Sequence, residues 1–173
     1  MDRQVRGTVI NAYLGFVKKK WGIEGLEKCM KDLGIEESVK DGHYYIDQVR
    51  ENILRWISRE KGSEYLEEAG SFVVENLGIL SWIVRFASPK TIVEKFPKSY
   101  SEVYTFGRIE IDHSDEKNII ARLYDVCQIE ETCEVWKGVC KGVLKITKSK
   151  GTVTKTRCQL KGDAFCEYVV ELE

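Results

Sequence analysis

The stretch that decides the fold begins with RIEIDHSDEKNIIARLYDV at positions 108–126 and ends with GTVTKTRCQLKGDAFCEYVVEL at positions 151–172. In 108–112 apolar residues alternate with charged ones, a polar turn follows at 114–117, and 119–126 returns as a second strand. This pattern is typical of a β-hairpin. The apolar spacing of 130–146 predicts a helix, and 152–160 and 164–172 predict a second hairpin around Gly162. The order is therefore β-β-α-β-β.

Residues 8–100 are predicted to be mostly helical. Two short helices are predicted at 8–20 and 23–33, with a break at Trp21-Gly22. Apolar residues at helical spacing predict two more, at 46–57 and 63–77. Ser88-Pro89 is typical of the start of a further helix. Helices that come first and a sheet that comes last favour an α+β fold, with helices packed on an antiparallel sheet. We expect a single domain over 1–173, with a helical half at 1–102 and a β-β-α-β-β half at 103–173.

The composition argues against several classes of protein. The chain has 173 residues, and its 27 Lys and Arg against 28 Asp and Glu leave a net charge of -1, so no global field attracts nucleic acid or an anionic membrane surface. No stretch approaches the roughly 18 apolar residues of a membrane span, and the first residues lack the pattern of a secretion signal. We therefore expect a cytoplasmic protein that binds neither nucleic acid nor membranes.

The cysteines form an uneven pattern, because five of the six lie between positions 127 and 166. Cytoplasmic thiols stay reduced, so such a group indicates a metal site or core residues rather than a disulfide framework. If the second hairpin is symmetric about Gly162, Cys158 and Cys166 lie opposite each other on its inner face, with Cβ atoms ~4.5–5.5 Å apart. Lys155 then lies on the outer face. A zinc ion between the two thiolates is one interpretation; a disulfide or two packed thiols are the alternatives.

Two further ligands are predicted for this metal site. Cys133 lies in the first turn of the 130–146 helix, where backbone dipoles stabilise a thiolate, and a closed zinc site takes four ligands. Cys127 can fold back from the connector before the helix, whereas Cys140 lies two turns, or ~10.5 Å, beyond Cys133. We therefore predict Cys127 as the conditional fourth ligand, and we expect Cys140 and Cys29 to be buried core thiols.

The cysteine segments resemble the vinyl-4-reductase-like domain family. That family has a cysteine at the start of a helix, glycines five and nine residues later, and then a hairpin with the pattern C-x3-G-D-x2-C-x-[FY]. The helix part of this pattern matches Cys133, Gly138 and Gly142, and the hairpin part matches the segment 158–168. The resemblance covers 127–173 and implies that Cys133, Cys158 and Cys166 bind metal. In phenol-sensing regulators of this family a glutamate completes a zinc site, and Lys155 stands at its position here.

The layout of the whole chain is similar to the superfamily that joins these domains to haem-based nitric-oxide sensors and to TRAPP vesicle-tethering subunits. The opening Arg6-Gly7-Thr8-Val9-Ile10-Asn11 resembles the start of the haem sensors. Those sensors use a helical histidine and a Tyr-x-Ser-x-Arg triplet, whereas both histidines here, His43 and His113, are predicted in loops. We therefore expect zinc and no haem.

The aromatic residues suggest a second site. In the implied fold, helices at 79–100 and 130–146 lie against the sheet, and relatives hold haem, acyl chains or phenols between these layers. The predicted lining residues are Trp82, Phe86, Phe96, Tyr104 and Trp136. An ordinary filled core is the alternative, since aromatic stripes also pack without binding.

The sequence favours a function in binding over one in catalysis. We predict a sensor-like domain of the vinyl-4-reductase type that binds a small apolar molecule and carries a structural cysteine-bound zinc. A homodimer is also expected. The rival hypotheses are a homodimeric assembly module without a free ligand, and a zinc enzyme with an open coordination position. No phosphate-binding loop, nucleophile elbow or HExxH motif is present.

Overall fold

The computed structural model describes residues 2–36, 38–76, 89–115 and 117–173. The first half contains strand β1 (Gln4–Arg6), helix α1 (Gly7–Asp32), strand β2 (Tyr44–Ile46) and helices α2 (Gln48–Lys61), α3 (Tyr65–Asn76) and α4 (Pro89–Val103). The second half contains strands β3 (Arg108–Asp112) and β4 (Asn118–Tyr124), helix α5 (Glu130–Ile146), and strands β5 (Gly151–Arg157) and β6 (Cys166–Leu172). The predicted α+β fold class is confirmed.

The four strands of the second half form one antiparallel sheet in the order β3-β4-β6-β5. Alternate residues of the central strands are buried, among them Leu123, Cys166 and Tyr168. This alternation is expected of a sheet with one face on the core and the other in solvent. Helix α5 packs against β5 and β6 on the buried face, and the Tyr168 hydroxyl donates a hydrogen bond of 2.8 Å to the Cys133 carbonyl.

Helices α3 and α5 lie in close backbone contact. A Cβ atom added to Gly138 would lie 2.6 Å from the carbonyl carbon of Glu67, and one on Gly70 would lie 2.9 Å from that of Val135. Real Cβ atoms essentially never come this close, so only glycine fits at these two positions. Gly138 on α5 and Gly70 on α3 therefore set the distance between the two helices.

A buried ion pair joins α2 to α5. The Arg50 guanidinium donates to both carboxylate oxygens of Asp47, at 2.6 and 2.8 Å, and to the Thr132 hydroxyl at 3.3 Å. Arg50 and Asp47 are 2% and 3% exposed. A charge buried to this degree needs a paired and hydrogen-bonded partner, and the carboxylate supplies both.

Two details differ from the sequence-based expectation. The helices predicted at 8–20 and 23–33 run as one element, α1, with a kink where Gly22 has a φ of 73°. A short ribbon, in which β1 pairs antiparallel with β2, was not predicted. Three-residue strands are too short for an alternating pattern to be recognised in the sequence. A hydrogen bond of 2.8 Å from the Gly7 amide to the His43 carbonyl extends the contact between β1 and β2.

A search of the described helices finds none that combines the length and the apolar character needed to cross a membrane.

Candidate metal centre and apolar crevice

Three cysteines from separate elements meet at one end of α5. Cys127 follows β4, Cys133 lies in the first turn of α5, and Cys166 begins β6. Their sulfur atoms all lie within 4.8 Å of one another, and the three residues are buried. We call Cys127, Cys133 and Cys166 the cysteine cluster. Soft thiolate sulfurs gathered in this way select zinc or Cu(I) among the common metal ions.

Two thiols of the cluster have pKa values shifted in opposite directions. Hydrogen bonds from Cys127 and Cys133 outweigh burial and lower the pKa of Cys166 to about 3. The backbone N–H of Gln159 also donates to the Cys166 sulfur, at 3.3 Å. The hydrogen bonds to Cys133 and Cys166, together with burial, raise the pKa of Cys127 well above its usual range.

Cys158, the remaining predicted ligand, lies beside the cluster and outside the group of three. In the hairpin, Arg157 pairs with Glu167. The next residue, Cys158, therefore lies beside Cys166, as a hairpin symmetric about Gly162 requires. Its sulfur accepts a hydrogen bond of 3.0 Å from the Lys155 ammonium. The role of each cysteine as a metal ligand stays a prediction.

Lys155 lies on the inner face of the sheet, so its predicted place on the outer face was wrong. Lys155 pairs with Tyr168 and Arg157 pairs with Glu167, which leaves Thr156 as an extra residue on β5. Such a bulge reverses the faces of the residues that precede it. The Lys155 ammonium consequently lies 5.8 Å from the centre of the Tyr168 ring. Burial opposes its charge, but hydrogen bonds to Cys133 and Cys158 raise the pKa of Lys155 above its usual range.

The other two cysteines are buried away from the cluster. Burial raises the pKa of Cys29, in α1, and of Cys140, in α5, to about 12 in each case. Both residues are therefore neutral thiols at physiological pH.

An apolar crevice lies along α4 and α5; its smaller part faces the sheet, and its larger part faces α1 and α3. Phe96 and Trp136 meet edge to face there, with ring centres 5.9 Å apart, and a cavity lies on either side of the pair. One cavity, of about 40 Å³, is bounded by the sheet and by Cys140; the other, of about 70 Å³, extends to Tyr104. Three predicted lining residues therefore meet at the crevice. Trp82 and Phe86 lie outside the described residues.

Sequence reasoning missed most of the residues that line the crevice, and Val139 and Tyr13 are two examples. Val139 borders both cavities, and its position one turn after Trp136 on α5 could have indicated this. Tyr13 reaches the larger cavity from α1. It lies on the buried stripe of α1, which resembles ordinary core in the sequence, so no local signal distinguishes it.

No protein-family model matches the chain, and no curated protein matches its sequence. Solved structures do match over nearly the whole length. An H-NOX protein from S. oneidensis in the Fe(II)NO ligation state is similar at a TM-score of 0.79 and 14% identity, over 97% of this chain and 99% of that chain. An oxygen-binding H-NOX domain related to soluble guanylate cyclases, in its oxygen complex, is similar at 0.79 and 12% identity, over 97% and 95%.

A third structure, described as probing haem distortion in the H-NOX family, has a TM-score of 0.77 and 13% identity over 97% of this chain and 94% of that chain. Our prediction of no haem is contradicted by these neighbours, because they are haem proteins with the same fold. The donor set at the crevice differs from a histidine site: His43 is exposed, and His113 lies 3.5 Å from Glu94 at the surface. Sulfur and hydroxyl groups, those of Cys140 and Tyr104 among them, border the cavities instead. The similarity shows that this chain has the fold of the H-NOX domains.

Proposed function

We propose that this chain is a sensor-like domain of the vinyl-4-reductase type that binds a small apolar molecule in the crevice. The observation that carries the proposal is the pair of cavities on the two sides of the Phe96–Trp136 contact. Their walls are mainly aliphatic and aromatic side chains, as in most small-molecule sites. The H-NOX fold supports the location, since the neighbours in that fold are described with nitric oxide, oxygen and haem.

The size of the cavities limits the ligand. An engineered apolar cavity of ~150 Å³ stays dry and holds benzene, whereas sites for drug-sized ligands have ~300–1,000 Å³. Each cavity here is smaller than either, at about 40 and 70 Å³. A ligand as large as a single aromatic ring therefore needs the Phe96 or Trp136 ring to move, which would join the two cavities.

Two probes test this proposal: toluene, followed by saturation-transfer NMR, and iron protoporphyrin IX, followed by its absorbance. We expect at least one of them to bind the wild-type chain and to bind less well to Val139→Phe, which fills space beside both cavities. Val49→Phe is the matched control, because it places the same ring at a partly buried position on α2 that borders neither cavity. Circular dichroism checks that both variants fold. Failure of both probes on the wild type, or equal binding to the two variants, refutes the proposal.

We also propose that the cysteine cluster holds one structural zinc ion. The carrying observation is that three sulfurs from three elements lie within 4.8 Å of one another. Zinc bound there would tie the end of β4, the start of α5 and the start of β6 together. A structural site of this kind contributes folding free energy directly, because the unfolded chain has no preformed site.

Metal analysis of protein expressed with added zinc tests this site. We expect one zinc ion per chain in the wild type and in Cys140→Ser, which removes a buried thiol from the same helix, and none in Cys166→Ser. Zinc retained by Cys166→Ser, or absent from the wild type, contradicts the proposal. Cys158→Ser tests the remaining predicted ligand: because a closed structural site takes four ligands, we expect this variant to lose zinc, while full retention of zinc would leave the site with three protein ligands.

The homodimer, the cytoplasmic location and the lack of nucleic-acid or membrane partners stay predictions from the sequence. Sedimentation velocity measures the first of them directly.

A further inference from the structure

The ribbon of β1 and β2 is open along one edge. The outer side of β1 is occupied, because Val5 pairs there with Tyr104 in an isolated antiparallel bridge. The Thr105 amide also donates to the Gln4 carbonyl, at 3.1 Å. Among the strands that the structure describes, β2 pairs with β1 alone. The outer edge of β2 is therefore the free edge of this small sheet.

The backbone groups on that edge belong to Tyr44 and Ile46. Hydrogen bonds toward β1 come from their neighbours: the His43 carbonyl accepts from the Gly7 amide at 2.8 Å, and the Asp47 amide donates at 2.9 Å to the carbonyl that precedes β1. Successive residues of a strand direct their N–H and C=O groups to opposite sides. The N–H and C=O groups of Tyr44 and Ile46 therefore point away from β1, where another strand can pair with them.

Exposed apolar side chains accompany these backbone groups. Among the described residues, four large apolar side chains are exposed, and two of the four are Tyr44, at 44%, and Ile46, at 55%. They are two residues apart, so they lie on the same face of β2. The Tyr44 hydroxyl donates to the Glu102 carbonyl at 3.0 Å, which holds the ring in place. Residues 42–46 include no lysine, acidic residue or proline, the residues that usually protect an edge strand from pairing.

A second copy of β2 is complementary to this edge. In an antiparallel pair with a two-fold axis at Tyr45, Tyr44 of one copy exchanges two backbone hydrogen bonds with Ile46 of the other copy. The two-fold axis repeats this exchange, so the free donors and acceptors of both residues are used. Each tyrosine ring then lies opposite a β-branched side chain, which is a favourable cross-strand pair.

The ends of β2 fit the same arrangement. A turn precedes the strand, closed by a hydrogen bond of 3.1 Å from the His43 amide to the Lys40 carbonyl, and α2 begins directly after the strand, at Gln48. In the antiparallel pair, the turn of one copy lies beside the start of α2 in the other copy. A second β2 therefore matches the edge in length, whereas a longer extended peptide would continue past it.

Charges of opposite sign meet at those ends. Beside Ile46, at the start of α2, lies a cleft of about 480 Å³ whose ionisable lining residues are Asp2, Arg3, Asp47 and Glu51. Arginine side chains lie within 4.0 Å of Asp47 and of Glu51. Asp2 and Lys40 are exposed, and the ion pairs of the described residues include neither of them. The two-fold axis brings Lys40 of each copy toward Asp2 of the other, and these opposite charges favour association.

We propose that the free edge of β2 is the surface through which two copies of this chain form a homodimer, with Tyr44 and Ile46 at its centre. The two ribbons then join into one four-stranded sheet. This inference gives the predicted homodimer an interface, and it rests on neither the apolar crevice nor the zinc ion.

The size of the interface predicts the strength of the dimer. Interfaces that bury less than ~1,200 Å² in total are weak or transient. Two three-residue strands, each with one flanking turn and one helix start, belong to this class. We therefore expect a reversible dimer with a Kd on the order of 100 µM, so the chain should be mainly monomeric in dilute solution.

Sedimentation velocity of the purified full chain, at concentrations from about 10 µM to about 1 mM, tests the interface. We expect the wild type to shift from monomer to dimer over this range. Ile46→Lys removes both tyrosine–isoleucine pairs, so it should weaken association about 2- to 30-fold. Ile23→Lys is the matched control, because Ile23, on α1, has the same exposure of 55%, and it should leave association unchanged. Circular dichroism checks that both variants fold.

Two results would overturn the proposal. One is a wild type that stays monomeric throughout this range, which would leave the edge of β2 to some other partner or to none. The other is a dimer that Ile46→Lys weakens no more than Ile23→Lys does. This second result would place the homodimer on another surface, and it would leave the prediction of a homodimer intact.

Mixed cysteine variants test the register. Hydrogen-bonded residues of an antiparallel pair have Cα atoms ~5.5 Å apart, which a disulfide can span, whereas diagonal neighbours are ~7–8 Å apart. Tyr44→Cys and Ile46→Cys chains, mixed equally and oxidised with air, should therefore link position 44 of one copy mainly to position 46 of the other. Mass spectrometry of the unreduced tryptic peptide 41–50 measures this. Random pairing would give half of the linked peptides this mixed form, and a share of half or less would overturn the proposed register.

Discussion

Gly138→Ala is expected to destabilise the chain because it forces α3 and α5 apart. The new Cβ would lie 2.6 Å from the carbonyl carbon and 2.8 Å from the Cα of Glu67, whereas ordinary contact is 3.4–4 Å. Both atoms belong to the α3 backbone, so no side-chain rotation relieves the clash, and the helices must separate by about 1 Å. Overpacking of this kind costs ~1–3 kcal/mol. The better helix propensity of alanine returns about 1 kcal/mol, so we expect a net loss of up to about 2 kcal/mol.

Urea denaturation measures this change, and Gly15→Ala is the matched control. Gly15 also lies inside a helix, but a Cβ there would meet only the Phe72 ring, at 3.8 Å. The same substitution should therefore stabilise the chain by about 0.5–1 kcal/mol at position 15. If Gly138→Ala were as stable as Gly15→Ala, the backbone contact between α3 and α5 would not be as close as described, and the reasoning would be wrong.

Two further predictions concern charged groups. Arg50→Met leaves the Asp47 carboxylate buried without its main partner, so it should lower the free energy of unfolding, measured with urea, by about 3–5 kcal/mol. The double variant Arg50→Met/Asp47→Asn should recover part of this loss. A double variant less stable than Arg50→Met would contradict the argument. Burial opposes the charge of Glu67, but hydrogen bonds from Lys137 and Lys141 lower the pKa of Glu67 below its usual 4.5. A lowered pKa in the folded state stabilises the chain above pH 4.5, and this stabilisation is lost as the pH falls through the folded value. The stability gap between the wild type and Glu67→Gln should therefore narrow from pH 6 to pH 3, and a gap that widens would refute the assignment.

Much of the second half could be predicted because its patterns are strong. The helix predicted at 130–146 has the bounds of α5, and both hairpins form where the alternation of 108–126 and 152–172 placed them. Such segments are long enough for the period of two or 3.6 residues to repeat.

The site was harder to predict because it depends on three-dimensional details. One extra residue in β5, Thr156, reversed the face of Lys155 and placed an ammonium group against Cys158. No residue pattern in the sequence of β5 predicts that bulge. The position of Cys127 depends on how the connector after β4 folds, which the sequence limits only by length. The expectation about haem failed for another reason: missing histidine motifs describe ligands, whereas the fold is set by packing that many sequences satisfy.

Helix α5 links the two candidate sites, and its packing constrains how a ligand can enter. Its first turn supplies Cys133 to the cysteine cluster, and Trp136 and Val139 border the crevice. Another face, at Gly138, touches the α3 backbone. Because this contact leaves no space, α5 cannot yield toward α3 when a ligand enters. We therefore expect the crevice to open at α4, which packs mainly on β3 and carries the Phe96 ring. We expect the cysteine cluster to stay intact when α4 moves, so the proposed metal site and the proposed ligand site would be compatible in one small domain.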